Sequence, residues 1–294
     1  MALSVRAPRL GFTTVPRHWF AKSAAATHVV NGVNLLFPAG ERFFVRSVLR
    51  YIERLDAEGR RDLVERARGF FGQEGRHAGA HEKFFDTMRA QGYEIDGFLA
   101  WYDRVAYRFI EKNSPHALSL AVTVALEHFT AILAEDALRD DAALLEHAHP
   151  ELRRLLAWHA VEELEHKSVA FDVLAAVHPS YALRMAGLAL GTACLGGFWL
   201  AATKDLLAQD GLSLRDAARD LTRLRMNPNA GKPREGGKGS DRIGSSIGQR
   251  VFLRGILEYI RPGFHPDDKD HRPLIERTLA ELEKEGVVAA AQVA

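Results

Sequence analysis

Apolar residues recur along this chain every three or four positions, and nothing in it reads as a sheet. Residues 1–22 lack that period and read as an irregular arm, with Arg6, Arg9 and Arg17 set among prolines. A first helix is predicted over 24–37, with Pro38-Ala39-Gly40 as a break. Glu41 then opens a helix to about residue 55, with Phe44, Val48 and Ile52 on its apolar face. The next runs over 61–91 and is stopped by Gly92. The connection 93–114 holds a helix of its own, over 97–111. Ser114-Pro115 starts a helix to 138, His149-Pro150 one to 177, and Pro179 one to 207. Residues 213–224 form a short amphipathic helix and 226–248 a Gly/Ser/Lys loop. Residues 250–260 are helical, and "RPGFHPDD" is a turn-rich cap before a last helix near Pro273. The class is all-α. Three parts are expected: the arm 1–22, a main helical domain 23–225 that includes an extra apolar helix at 180–207, and a loop with a C-terminal helical cap over 226–294.

Polar residues interrupt this pattern where packing alone would favour leucine. From Ala117 to Ala134 the ionisable residues are Glu127 and His128 alone. A carboxylate in such a run is costly to bury unless it is paired, protonated or bound to a metal. Two further helices carry polar stripes. Glu74, His77 and His81 follow one another at spacings of three and four, and His159, Glu163 and His166 at four and three. One helical turn is about that long, so each set shares a face. Each contains Glu-x-x-His, at Glu74–His77 and Glu163–His166.

In bundle-type two-metal carboxylate sites, two helices give one Glu each and two give Glu-x-x-His. Glu41 and Glu127 supply the single glutamates, so the order along the chain is E, ExxH, E, ExxH. Glu41 to Glu74 spans 33 residues, Glu127 to Glu163 spans 36, and the gap between the pairs is 53. Two helical hairpins joined by a crossover would give this spacing, as in a ferritin-like four-helix bundle with additional helices. Four glutamates also balance two divalent cations in charge. One Glu-x-x-His arises often on helix surfaces; two, each preceded by an isolated Glu at hairpin spacing, are far more specific. His159 and His81 lie on the ligand stripes, each as a further ligand or as a group orienting one. Glu162 and Glu165 fall off the stripe of Glu163 and read as solvated or outer groups. His128 points away from its neighbour Glu127 and reads as an ordinary satisfied histidine.

The blocks "NLLFPAGERFF", "FGQEGRHAGAHEKF", "ALEHFTA", "WHAVEELEHKSVAFDV" and "YIRPGFHPDD" resemble the bacterial family called predicted metal-dependent hydrolases, over most of residues 15–275. The pattern E…ExxH…E…HxxxExxH is also similar to the di-iron arylamine N-oxygenases, in the ligands rather than the whole chain. That second resemblance implies a metal-ligand set of Glu41, Glu74, His77, Glu127, His159, Glu163 and His166, with His81 as an extra ligand or a support. No catalytic residue beyond the ligands stands out.

Composition narrows the chemistry. The single cysteine, Cys194, excludes a disulfide framework, a thiolate zinc site or an iron–sulfur cluster within one chain. A reducing cytoplasm is the expected compartment. The formal net charge of +1 gives no field for nucleic acid. Residues 185–203 carry no charge and are long enough to span a bilayer core. Gly187 and Gly191 provide a small-xxx-small face. A buried fifth helix, a dimer or membrane-surface helix and a true span compete there; the membrane alternatives favour a lipid-like small-molecule substrate.

The primary expectation is a two-iron centre that activates O2 to oxidise an organic, apolar substrate, supplied by an external electron donor. Manganese or zinc would also suit carboxylate and imidazole ligands. The alternatives are two-metal hydrolysis of an ester or phosphoester, and a non-enzymatic metal-binding bundle. The aromatic residues Phe70, Phe71, Phe84, Phe129 and Phe171 read as ordinary core with a second use as cavity walls.

Overall fold

Local signals start most of the helices. Ser23 caps α1 (Ala24–Asn34), its side chain accepting from the amide of Ala26 at 3.1 Å. Ser180 does the same for α9 (Tyr181–Gln209) through Leu183. Pro150 stands at the start of α7 (Pro150–His166), with His149 as cap. Gly92, at φ +86°, follows α4 (Arg61–Ala90) and takes the left-handed conformation that ends it. A computed structural model of the chain describes residues 3–139, 145–226, 253 and 255–289. Among the described residues there is no strand, and the class is all-α.

The remaining helices are α2 (Phe37–Leu49), α3 (Ile52–Ala57), α5 (Asp96–Tyr102), α6 (His116–Leu138), α8 (Val169–Val177), α10 (Leu214–Met226), α11 (Gly255–Tyr259) and α12 (Arg272–Lys284). Helix α2 packs on α4 and α6 on α7, while α2 also meets α6 and α4 also meets α7. These four helices therefore surround one interior. Helix α9 lies across α6 and α1, and α12 covers α7. Helix α6 is apolar on nearly all sides and is buried accordingly, with Leu120, Ala125 and Phe129 fully enclosed. Two large apolar clusters and a small third one at Ala25, Leu207 and Ala217 form the core of the described residues. Along α4, Phe70 belongs to one large cluster and Phe84 to the other, and Glu74, His77 and His81 lie between them.

Several boundaries differ from the sequence pattern. Pro38 does not break the chain; it sits in the first turn of α2, where proline's missing N–H is not needed, so Glu41 lies in the second turn. The helix expected over 41–55 divides between α2 and α3 at Arg50 and Tyr51. The helix expected over 150–177 divides at Lys167 and Ser168. That second break has no glycine or proline. Both residues are buried and held from afar: Lys167 Nζ donates to the carbonyl of Lys269 at 2.7 Å, and Ser168 Oγ accepts from Arg66 at 2.7 Å. The helix expected over 97–111 is α-helical only to Tyr102 and continues as a nine-residue π-helix, Asp103–Glu111. The loop expected over 226–248, apart from Met226 at the end of α10, and the start of the helix expected over 250–260 lie outside the described residues.

Helix α9 uses its glycines inside the molecule. A Cβ on Gly187 would come within 2.3 Å of the carbonyl oxygen of Ala121, so glycine there lets α9 and α6 approach closely. By length and composition α6 and α9 are both apolar enough to cross a bilayer; α6 is mostly buried in the core, and α9 leaves much of its outer face exposed.

Candidate metal centre

Glu41 comes from α2, Glu74 and His77 from α4, Glu127 from α6, and His159, Glu163 and His166 from α7. The fold brings all seven together in the interior of the four helices, each at most 4 % exposed. His166 Nε2 lies 3.1 Å from Glu74 Oε1, 3.5 Å from Glu127 Oε2 and 3.6 Å from Glu163 Oε1. On the other side, His159 Nε2 lies 2.9 Å from Glu163 Oε1 and 3.7 Å from Glu41 Oε1, and His77 Nδ1 lies 3.6 Å from the same Glu163 oxygen. Glu163 Oε1 is thus close to all three imidazoles. Two donors that share an ion at about 2.0–2.2 Å stand about 3–3.6 Å apart at tetrahedral or octahedral angles. The side chains divide into a lobe of Glu74, Glu127 and His166 and a lobe drawn from Glu41, Glu74, His77, His159 and Glu163, with Glu74 common to both and His81 grouped with Glu41 and His159 at the edge of the second.

Hydrogen bonding tests whether a cation fits. Both carboxylate oxygens of Glu41, Glu74 and Glu127, together with Glu163 Oε2, His77 Nδ1 and His166 Nε2, are buried without a hydrogen-bond partner. Buried polar atoms are nearly always paired, because an unpaired one forfeits its hydration for nothing. Among the described residues no lysine or arginine pairs with these four glutamates. The charge crowding shows in the acid–base equilibria. Burial pushes the Glu41 carboxyl well up, aided by Glu74 and Glu163. Burial raises Glu127 as well, against the pull of His166. Burial opposes the charge on His166, yet Glu163 and Glu127 raise it well above the ordinary imidazole range. Divalent cations would relieve this crowding, and the donor set fits them.

The atoms turned away from the centre are, by contrast, bonded. His77 Nε2 donates to Glu162 Oε2 at 3.0 Å, which leaves the Nδ1 lone pair facing inward. His166 Nδ1 donates to Gln73 Oε1 at 3.0 Å, which leaves Nε2 inward. His159 Nδ1 donates to His81 Nε2 at 2.7 Å, and His81 Nδ1 in turn donates to Asn34 Oδ1, so that His159 Nε2 faces Glu41 and Glu163. Each chain of contacts fixes the ring orientation, so that the other nitrogen faces inward, where it can serve a cation once it carries no proton. His81 is fully buried in this position, against the back of His159. Glu162, expected as a solvated or outer group, is fully buried; burial raises its carboxyl to about 7, against the neighbouring Arg6.

Several participants carried no sequence signal. Arg6, from the arm, donates to Glu162 at 3.2 Å and to both oxygens of Glu165 at 2.8 and 2.7 Å. Gln73 also donates to Glu165, at 2.9 Å. Asn34 ends the His81 chain. Phe37 packs on the rings of His81 and His159, and Trp158 on that of His77. Of the phenylalanines weighed as cavity walls, Phe70 does touch His166, at 5.0 Å between ring centres, while Phe84 and Phe129 are core. His128 behaves as an ordinary histidine, its Nε2 donating to the carbonyl of Gly255 at 2.9 Å. Two glycines of α4 lie against the arm: a Cβ on Gly72 would meet Val5 at 2.6 Å and one on Gly69 would meet Leu3 at 2.7 Å. The arm, rather than another helix, lies against them, and Gly75 and Gly79 face open space.

The sequence matches the model of a family described as predicted metal-dependent hydrolase, over residues 4–270. No curated protein matches the chain, and no solved structure does. This match overturns the expectation of a di-iron oxygenase, because the family it identifies is described by hydrolysis rather than by O2 chemistry. The physical reason for the wrong turn is plain. Carboxylate and imidazole donors at this spacing record coordination, and the same donors bind hydrolytic and redox metals alike. The expectation of O2 and an external electron donor rested on that oxidative reading alone.

Proposed function

The chain belongs to the family of predicted metal-dependent hydrolases, and from that premise we propose that the Glu/His centre holds two divalent cations and hydrolyses an ester or phosphoester. The observation that supports this most is the set of buried carboxylate oxygens on Glu41, Glu74 and Glu127 that no arginine or lysine of the described residues neutralises and that converge with imidazole nitrogens. In this reading Glu127 and His166 would hold one ion and Glu41, His77 and His159 the other, with Glu74 and Glu163 near enough to serve either. When bound, such ions supply Lewis acidity toward the scissile bond and toward water. Manganese, zinc and iron all suit the donors.

The residues of the chain do the rest. Four carboxylates match the charge of two divalent ions, so the filled interior is neutral. The Glu162, Gln73 and His81 contacts hold one nitrogen of each of three imidazoles turned inward, and on His166 a cation would replace a proton. Phe37 and Trp158 wall the histidines from water on their outer sides. The test is metal analysis of the purified full-length chain, followed by chelation and reloading with manganese, zinc or iron. About two ions per chain, and hydrolysis of aryl esters or phosphoesters that disappears on stripping and returns on reloading, is the expected result. Hydrolysis indifferent to stripping, or a chain that retains no metal, would refute the proposal.

A further inference from the structure

An apolar groove runs beside the centre, and Glu41 forms part of its wall. Helices α2, α6 and α9 and the π-helix enclose it, and its empty space, mouth included, is about 860 Å³. Along α6 the lining extends from Ser119 to Leu133 on one face. At a helical rise of 1.5 Å per residue this is a length of about 21 Å. Helix α9 contributes Leu190 and Cys194 to the lining. The π-helix contributes Tyr107, from a backbone form that is rare and frequently found at functional sites.

The groove offers little for a polar ligand to bind. Besides Glu41, the charged group on its wall is Glu111, and that carboxylate is already paired with Arg46 at 2.7 Å and Arg50 at 3.6 Å. The hydroxyls of Tyr102 and Tyr107 are bonded to each other at 2.5 Å. A sugar, nucleotide or peptide would find no matching set of donors and acceptors. A hydrocarbon chain needs none, and gains from the burial of every methylene.

We propose that this groove seats the hydrocarbon chain of the substrate, and that the substrate is a carboxylic ester of a long-chain acid whose carbonyl end lies toward Glu41. The inference rests on the hydrolytic reading of the centre. In the reaction, the oxygen of water bonds to the acyl carbon and the acyl C–O bond breaks. Its electron pair leaves with the departing alkoxide, which takes a proton to become the alcohol, and the acid is the second product. Nothing is oxidised or reduced.

Cys194 is the single cysteine of the chain and lines the groove, so it reports occupancy without reference to catalysis. With the full-length, metal-loaded protein, dodecanoate at about ten times its Kd should slow the reaction of Cys194 with a maleimide about tenfold, and butyrate should not. Across p-nitrophenyl esters from acetate to dodecanoate, kcat/KM should climb by up to about fourfold per added methylene until the groove is full. Leu190→Trp, which fills the groove, should collapse the ratio of dodecanoate to acetate turnover. Equal reactivity of Cys194 with and without dodecanoate, or a flat chain-length profile, overturns the groove assignment. Protection of Cys194 without hydrolysis of any ester in the series overturns the hydrolytic reading instead.

Discussion

The Glu/His centre and a second cluster near the end of α9 are made of the same kinds of side chain. In the second, His18, His28 and Asp210 bring their ligand atoms as close together as those of the centre. Their bonding is opposite. Asp210 Oδ1 accepts from Arg17 Nη2 at 2.6 Å and from Nε at 3.1 Å. Its Oδ2 accepts from His18 at 2.8 Å, His28 at 2.7 Å and the Tyr93 hydroxyl at 3.1 Å. An arginine already supplies the positive charge, both oxygens are satisfied, and the cluster ties the arm to the end of α9. In the centre no arginine of the described residues pairs with the four glutamates, and most of the carboxylate oxygens have no hydrogen-bond partner. Proximity of histidine and carboxylate is therefore a poor guide to a metal site. Unmet bonding capacity and uncompensated charge separate the two.

The comparison breaks most visibly on metal content. Glu74→Ala should lose bound metal outright, since Glu74 is common to both lobes, whereas Asp210→Ala should retain the full complement; elemental analysis of the two purified proteins decides it. Asp210→Ala should show its effect in stability instead. It strands Arg17 and His28 and should cost about 2–3 kcal/mol in chemical denaturation. His81→Phe keeps the volume behind His159 but removes the acceptor that fixes its tautomer. It should weaken metal binding about 10–100-fold in competition with a chelator, with the fold intact by circular dichroism.

Smaller effects sharpen the contrast. In the metal-free protein, Glu127→Gln should leave the thermal midpoint unchanged or raise stability by about 1 kcal/mol, because it removes a crowded carboxyl rather than a paired one. The same change at Asp210 should lower it. The pH dependence follows the second cluster. Burial opposes the charge on Asp210, but hydrogen bonds from His18, His28 and Arg17 prevail and hold its carboxyl below the ordinary 3.8. A carboxyl lower in the folded than in the unfolded chain stabilises fully above the unfolded value, and this is lost as pH falls. Stability should thus decline between about pH 5 and pH 3, and the decline should be shallower in Asp210→Asn, as read by urea unfolding across that range.

Much of the centre was legible because its information is local. Ligands one helical turn apart share a face whatever the rest of the chain does, so Glu74 with His77 and Glu163 with His166 could be paired on sight. The isolated Glu127 stood out because an apolar helix has no local use for a carboxylate. Residues that act through contacts distant in sequence gave no such sign. Arg6 lies 156 residues from Glu162 and reaches it only in the folded chain. Asn34 and Gln73 look like ordinary polar residues of helices until His81 and His166 are set against them. The break at Lys167 and Ser168 was invisible for the same reason, since its partners are Lys269 and Arg66.

The sequence by itself determined the all-α class, the helical stripes and the seven residues that meet in the interior, because helical periodicity and the cost of burying charge are properties of short segments. Tertiary structure alone decided which atoms of those residues have no partner, which nitrogen of each histidine faces inward, and that an apolar groove has Glu41 in its wall. Hydrogen-bond satisfaction and enclosed space are properties of surfaces brought together by packing. Reaction class belongs to neither list: it came from the family match, since one donor set serves both redox and hydrolytic metals.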